Sequence, residues 1–154
     1  MKAQPSRLAA PNPRLACRIL LVEDDQDHQP LLSLMLRKAD AEVAIAENGQ
    51  VAIDLASAAR KLERPFDMIL MDVQMPVLDG FAATRELRDA GFDVPIIALT
   101  ARSGTTDRAK CLAAGCDDFL AKPVSRTDMI RLLAAHLTRY RAQRAATSSN
   151  HSVA

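Results

Sequence analysis

Three acids, a threonine and a lysine stand at the ends of short apolar runs in this chain. Glu23 and Asp24 follow Ile19–Val22, Asp72 follows Met68–Met71, Thr100 follows Pro95–Leu99, and Lys122 follows Phe119–Ala121. Any one of them alone is commonplace, and a single aspartate at a strand end reads more readily as a loop cap than as a nucleophile. Gathered on one edge they are a different proposition, because two carboxylates about 4 Å apart repel by roughly 4 kcal/mol at an effective dielectric near 20. Three acids together need a cation. Hard oxygen donors with room for water suit Mg²⁺, and the sequence has no cluster of His or Cys that would suit zinc. An aspartate carboxylate can attack a phosphoryl group, whose three charged oxygens are then neutralised by a metal, a lysine and hydroxyl donors. Asp72, a bound Mg²⁺, Lys122 and Thr100 make up that inventory.

The elements that would carry these residues are legible from hydrophobic period. Ile19–Val22 is too short for a helix and apolar on both faces, which suits a central parallel strand. Ala41–Ala46, Met68–Met71, Pro95–Leu99 and Phe119–Ala121 supply four more strands. Between them lie stretches of helical period. Leu31, Leu32, Met35 and Leu36 share one stripe, with Pro30 tolerable only in the first turn. After the Asn48-Gly49 break, Val51, Ala52, Leu55, Ala58, Ala59 and Leu62 form the second helix. Phe81, Thr84, Leu87 and Arg88 begin the third, with Asp79 as N-cap. The fourth runs from Thr105 to Ala114 and stops at Gly115. The last, opened by a Ser125/Asp128 capping box, carries Met129, Ile130, Leu132, Leu133 and Leu137. Five strand–helix units imply right-handed crossovers and a doubly wound α/β sheet with helices on both faces. Ligands of such sheets bind beyond the carboxyl ends of the strands, where the five polar residues stand.

Composition bounds the rest. The 154 residues are 49% hydrophobic, enough for one core, so residues 17–139 are read as a single domain between a Pro-containing linker at 1–16 and a flexible tail at 140–154. A net charge of +1 gives no bulk reason to expect nucleic acid or an anionic membrane as partner, and no apolar run is long enough to insert into a bilayer. Three cysteines, Cys17, Cys111 and Cys116, make no C-x-x-C pair and fit a reduced, cytoplasmic protein in which they pack as small hydrophobes.

The segments LLVEDD, MDVQMPVLDG, ALTA and GCDDFLAKP, in this order and at these spacings, resemble the response-regulator receiver domains of two-component phosphorelay signalling over residues 17–139. The wording of MDVQMPVLDG and GCDDFLAKP is similar to the hybrid-histidine-kinase type. That resemblance implies a flavodoxin-like sheet of order 2-1-3-4-5 and a switch phosphorylated by a histidine kinase or histidine phosphotransfer protein. It implies Asp72 as phosphoacceptor, Asp24 as a direct Mg²⁺ ligand, Glu23 as a ligand mainly through water, and the Gln74 backbone carbonyl as a further ligand. Lys122 would pair with the phosphoryl group, Thr100 would hydrogen-bond it, and Phe119 would be the aromatic switch residue. Pro123 follows Lys122 as in the family, where the bond is often cis.

Two other classes compete with this reading. A haloacid-dehalogenase-type phosphatase also uses an Asp nucleophile, Mg²⁺, Thr and Lys, yet needs a general acid two residues after the nucleophile, where this chain has Gln74. A phosphate-independent scaffold would be favoured by loss of Asp24, Asp72, Thr100 or Lys122, and all four are present. Asp25 is read as solvating its loop, and His28, His136 and His151 as surface or helix-face residues. Arg139, Arg141 and Arg144 are read as a solvated helix end rather than a nucleic-acid patch.

Overall fold

The five apolar runs become five parallel strands, and the alternation of side chains along them sorts the helices onto two faces. The computed structural model of the protein describes residues 13–75, 77–101 and 105–153. In chain order the elements are β1 (Cys17–Val22), α1 (His28–Lys38), β2 (Ala41–Ala46), α2 (Gly49–Lys61), β3 (Met68–Asp72), α3 (Gly80–Asp89), β4 (Ile96–Thr100), α4 (Thr105–Ala114), β5 (Asp118–Ala121) and α5 (Arg126–Val153). The sheet order is β2-β1-β3-β4-β5, with every neighbouring pair parallel.

Period two in the strands separates two cores. Ile19, Leu21, Met68, Leu70, Ile97 and Leu99 pack with Leu32 and Leu36 of α1 and Met129, Ile130, Leu133 and Leu137 of α5. Leu20, Val22, Ile69, Met71, Ile96 and Ala98 face the other way, onto Ala52 and Ala56 of α2, Ala83 and Leu87 of α3, and Cys111 of α4. β1, β3 and β4 are thus covered on both sides, which is why Ile19–Val22, Met68–Met71 and Ile96–Leu99 within them read as unbroken apolar runs. The partly buried residues of β5 mark it as a sheet edge.

Local chemistry sets the helix ends. Asn48 caps α2 by accepting from the Val51 amide at 2.9 Å, and Asp79 caps α3 by accepting from the Ala82 amide at 2.8 Å. The Ser125 hydroxyl accepts from the Asp128 amide at 3.3 Å at the start of α5. Gly115 closes α4 with a φ of +108°, a conformation that a Cβ would strain. Pro30 is the third residue of α1, within the first turn, where no intrahelical amide is lost.

The ends of the domain differ from the reading of the sequence. Leu15, placed there in the linker, is 1% exposed, and its amide donates to the Ala39 carbonyl at 2.7 Å. Tyr140, placed in the tail, is buried, and α5 continues without a break to Val153. Ala, Arg and Gln beyond position 140 have good helix propensity and extend the helix without burying a face. Residues 1–12 of the expected linker lie outside the described residues. All three cysteines are buried thiols outside any disulfide, as small hydrophobes should be, and burial pushes the Cys17 and Cys116 thiols up to about 11.

Candidate functional site

Crossovers place the ends of β1, β3, β4 and β5 side by side, so the polar residues that end these strands meet on one edge. Asp72 Cα is in register with Leu99, and Thr100 with Ala121, one residue before Lys122. The Lys122 amide donates to the Thr100 carbonyl at 2.7 Å, which carries the β4–β5 pairing into the site. Glu23 is 0% exposed, Asp72 5% and Thr100 1%, while Asp24 is exposed to solvent. Ligand oxygens of Glu23, Asp24 and Asp72 all lie within 4.8 Å of one another.

Lys122 is shared between two of these acids. Its Nζ donates to Glu23 Oε1 at 2.7 Å and to Asp72 Oδ2 at 3.4 Å. Burial opposes its charge, but the Glu23 hydrogen bond and the two carboxylates outweigh this and raise its pKa. Asp72 Oδ1 accepts from the Gln74 amide at 3.0 Å. Burial, reinforced by the Glu23 carboxylate, pushes Asp72 up to about 7 against the opposing effects of that amide and of Lys122. One lysine thus offsets only part of the charge of two buried acids. The donor set is all oxygen, one acid faces water, and the buried pair lacks positive charge, so these residues fit a small, hard, partly hydrated divalent cation.

The structure therefore brings together Glu23, Asp24, Asp72 and Lys122, with Thr100 on the adjacent strand end. Gln74 sits in the β3–α3 loop with its amide turned to Asp72. The Lys122–Pro123 bond is cis. Phe119, partly buried in β5, packs against the core shared with α2 to α4, and the Arg108 guanidinium lies 5.8 Å from its ring centroid.

Three side chains have roles here that sequence reasoning did not assign. Asp25 is more than a solvated neighbour: its Oδ1 accepts from the amides of Asp27 at 2.8 Å and His28 at 3.3 Å, forming the turn that opens α1. The Asp27 amide is the chief reason its carboxyl is held below the usual range. His28, read as a surface residue, borders the site, with Nδ1 3.5 Å from Asp25 Oδ2 and 3.9 Å from Glu23 Oε1. Gln29 Nε2 donates to the Glu23 carbonyl at 2.6 Å and ties α1 to the acidic turn. The place of His28 directly after the acidic run of residues 23–27, at the start of the first helix, is the signal the sequence carried for it. Elsewhere, His136 Nε2 pairs with Asp118 Oδ2 at 2.9 Å. Arg141 donates to the Ala16 carbonyl, and Arg144 donates within α5 to the Tyr140 hydroxyl, which in turn donates to Asp93 of the domain.

Fold and site together define a doubly wound α/β domain with an acidic, lysine-bearing centre off the carboxyl ends of its strands. The chain belongs to the response regulator receiver domain family, whose model matches residues 19–134. It is 37% identical over 123 residues to the two-component response regulator ORR41 of Oryza sativa subsp. japonica, covering 79% of this chain and 94% of that protein. It is also similar to the receiver domain of the sensor histidine kinase PA1611 from Pseudomonas aeruginosa PAO1, solved with a magnesium ion coordinated in its active-site cleft. That match has 43% identity and a TM-score of 0.67 over 79% of this chain and 98% of the other. A third likeness is to the receiver domain of Saccharomyces cerevisiae Ssk1, solved in complex with the histidine phosphotransfer protein Ypd1, at 33% identity and a TM-score of 0.66 over 76% and 86% of the two chains. The chain spans about half the length of several curated relatives it matches. It is a receiver domain of two-component signalling, and the phosphatase alternative has no support in these likenesses. Among the described residues no helix is long and apolar enough to cross a membrane.

Proposed function

We propose that the chain accepts a phosphoryl group on Asp72 from the phosphohistidine of a histidine kinase or histidine phosphotransfer protein. In this reading Asp24, Asp72 and the Gln74 backbone carbonyl hold Mg²⁺ directly, and Glu23 does so mainly through water. The observation that carries it is Lys122 Nζ, set 2.7 Å from Glu23 and 3.4 Å from Asp72 at the mouth of the acidic cluster. A cation so placed can leave Glu23 for an incoming phosphoryl oxygen without leaving the site.

When bound, Mg²⁺ neutralises carboxylate and phosphoryl charge. Asp72 Oδ forms a bond to phosphorus in line as the phosphorus–nitrogen bond of the donor breaks, and the electron pair remains on the donor imidazole. The Thr100 hydroxyl donates to a phosphoryl oxygen, and Phe119 on the neighbouring strand reports that movement to the face built from α4, β5 and α5. The chain is then the substrate of its own phosphorylation and a regulator rather than a turnover enzyme. The phosphotransfer partner is supported by the relative solved with Ypd1, and the hybrid-kinase type by the likeness to the PA1611 receiver. A cytoplasmic setting accords with three cysteines that form no disulfide.

Incubation with Mg²⁺ and acetyl phosphate should add one acid-stable, base-labile phosphoryl group. Asp72→Asn should abolish it, because an amide is not a nucleophile of this kind. Labelling of that variant to the wild-type stoichiometry would overturn the assignment.

A further inference from the structure

The loop between β3 and α3 carries Gln74 and is fastened at several described points. The Gly80 amide donates to the Val73 carbonyl at 3.2 Å, and the Gly49 amide, from the start of α2, donates to the Leu78 carbonyl at 3.2 Å. Gly49 is the first helical residue of α2, so its amide has no intrahelical acceptor and is free to bind the loop. Its φ does not demand glycine, but the space does: a Cβ there would lie 2.5 Å from the Leu78 carbonyl oxygen and 2.9 Å from the Ala83 Cβ of α3. The loop is also strained, with Val77, a β-branched residue 83% exposed, held at a φ of +69°. Strain of that kind persists only where neighbours over-determine the backbone.

We propose that Gly49 is a positioning residue of the acidic site: through its contact with the Leu78 carbonyl, α2 sets the place of the loop that presents the Gln74 carbonyl to the metal. This rests on the proposed role of Gln74. With alanine at 49 the loop has to yield by about 0.9 Å to restore ordinary contact with the Leu78 carbonyl oxygen. A displacement near 1 Å can cost about 10²-fold where geometry is demanding; for one ligand among several on a hydrated ion, about 10-fold is expected.

The test is the rate of acetyl-phosphate-driven phosphorylation as a function of Mg²⁺ concentration. Gly49→Ala should raise the half-saturating Mg²⁺ about 10-fold while leaving the rate at saturating Mg²⁺ within about twofold. Gly49→Ala with Ala83→Gly removes the clash with α3 and leaves only that with the loop, and it should behave alike. Ala56→Gly loosens the same helix at a buried position away from the loop and should leave the Mg²⁺ requirement unchanged. In the wild type, the Gly49 amide resonance should shift on Mg²⁺ addition, a measurement that holds even if both Gly49 variants fail to fold. An unaltered Mg²⁺ requirement in either folded Gly49 variant, an equal rise in Ala56→Gly, or an unmoved Gly49 resonance would overturn the proposal. Failure of the Asp72 reading looks different: Asp72→Asn would be labelled to the wild-type stoichiometry, whatever the Mg²⁺ requirement of the Gly49 variants.

Discussion

Without metal, the site stores unfavourable charge, and the amount can be read from stability. Glu23 and Asp72 are both buried and share a single lysine, and Asp72 is pushed up to about 7 from the ordinary 3.8. Between those two values the native state holds a proton that the unfolded chain releases, so stability falls as pH rises through this window. The slope from this one group is at most about 1.4 kcal/mol per pH unit, and over roughly three units its ceiling is about 4 kcal/mol. Below pH 4 and above pH 7 the contribution is flat. Asp72→Asn removes it, at some loss because the new amide donors face Lys122. In EDTA, the variant should therefore lie below the wild type by about 1–3 kcal/mol near pH 4 and gain on it by up to about 4 kcal/mol by pH 8, ending about 1–3 kcal/mol above it. Urea titrations followed by far-ultraviolet circular dichroism at pH 4, 5, 6, 7 and 8 give that difference, and subtracting the variant's curve cancels the carboxylates remote from Asp72, leaving Asp72 with its coupled partner Glu23. Saturating Mg²⁺ should then restore the wild type by about 2.7 kcal/mol at one hundred times its dissociation constant. A variant-minus-wild-type difference that is constant across the series, or that falls as pH rises, would refute the account of the apo site.

Asp24→Asn should weaken Mg²⁺ binding and slow phosphorylation, whereas Asp25→Asn should act mainly on the turn that opens α1; equal shifts in the Mg²⁺ titration would show that the two acids are misassigned. Thr100→Ala should still be phosphorylated, yet show reduced amide shifts around β5 when beryllofluoride, a phosphoryl mimic, is added. Shifts equal to those of the wild type would dissociate Thr100 from Phe119.

Much of this was legible because parallel strands buried on both faces leave a simple trace. Ile19–Val22 and Met68–Met71 are apolar at every position, each residue facing one of two cores, and a polar residue can enter such a run only where the strand ends. The same rule that located the strands located Glu23, Asp72 and Thr100. Helix ends were legible where one side chain does the capping, as at Asp79, or where a left-handed backbone asks for glycine, as at Gly115. The domain ends were not. Leu15 lies between Pro13 and Ala16 with no period around it, and Tyr140 is a lone aromatic among arginines. Both are buried by partners distant in sequence, and such contacts leave no local pattern.

The pairing of Lys122 was equally hidden, and it alters how the site works. Spacing put the lysine at the end of β5 and chemistry gave it a phosphoryl partner, but nothing in the sequence says where its charge rests before phosphate arrives. The geometry is specific: Glu23 takes the shorter bond at 2.7 Å, while its other oxygen accepts from the Asp25 amide at 3.2 Å. Glu23 is fixed at both ends before any cation enters. An acid so held is poorly placed to turn toward a metal as a direct ligand, which accords with a role through water. Asp24, exposed one residue later, has the freedom that direct ligation needs. The two adjacent acids thus differ by burial: one holds the lysine, and the other is open to solvent and, in the proposed reading, to the ion.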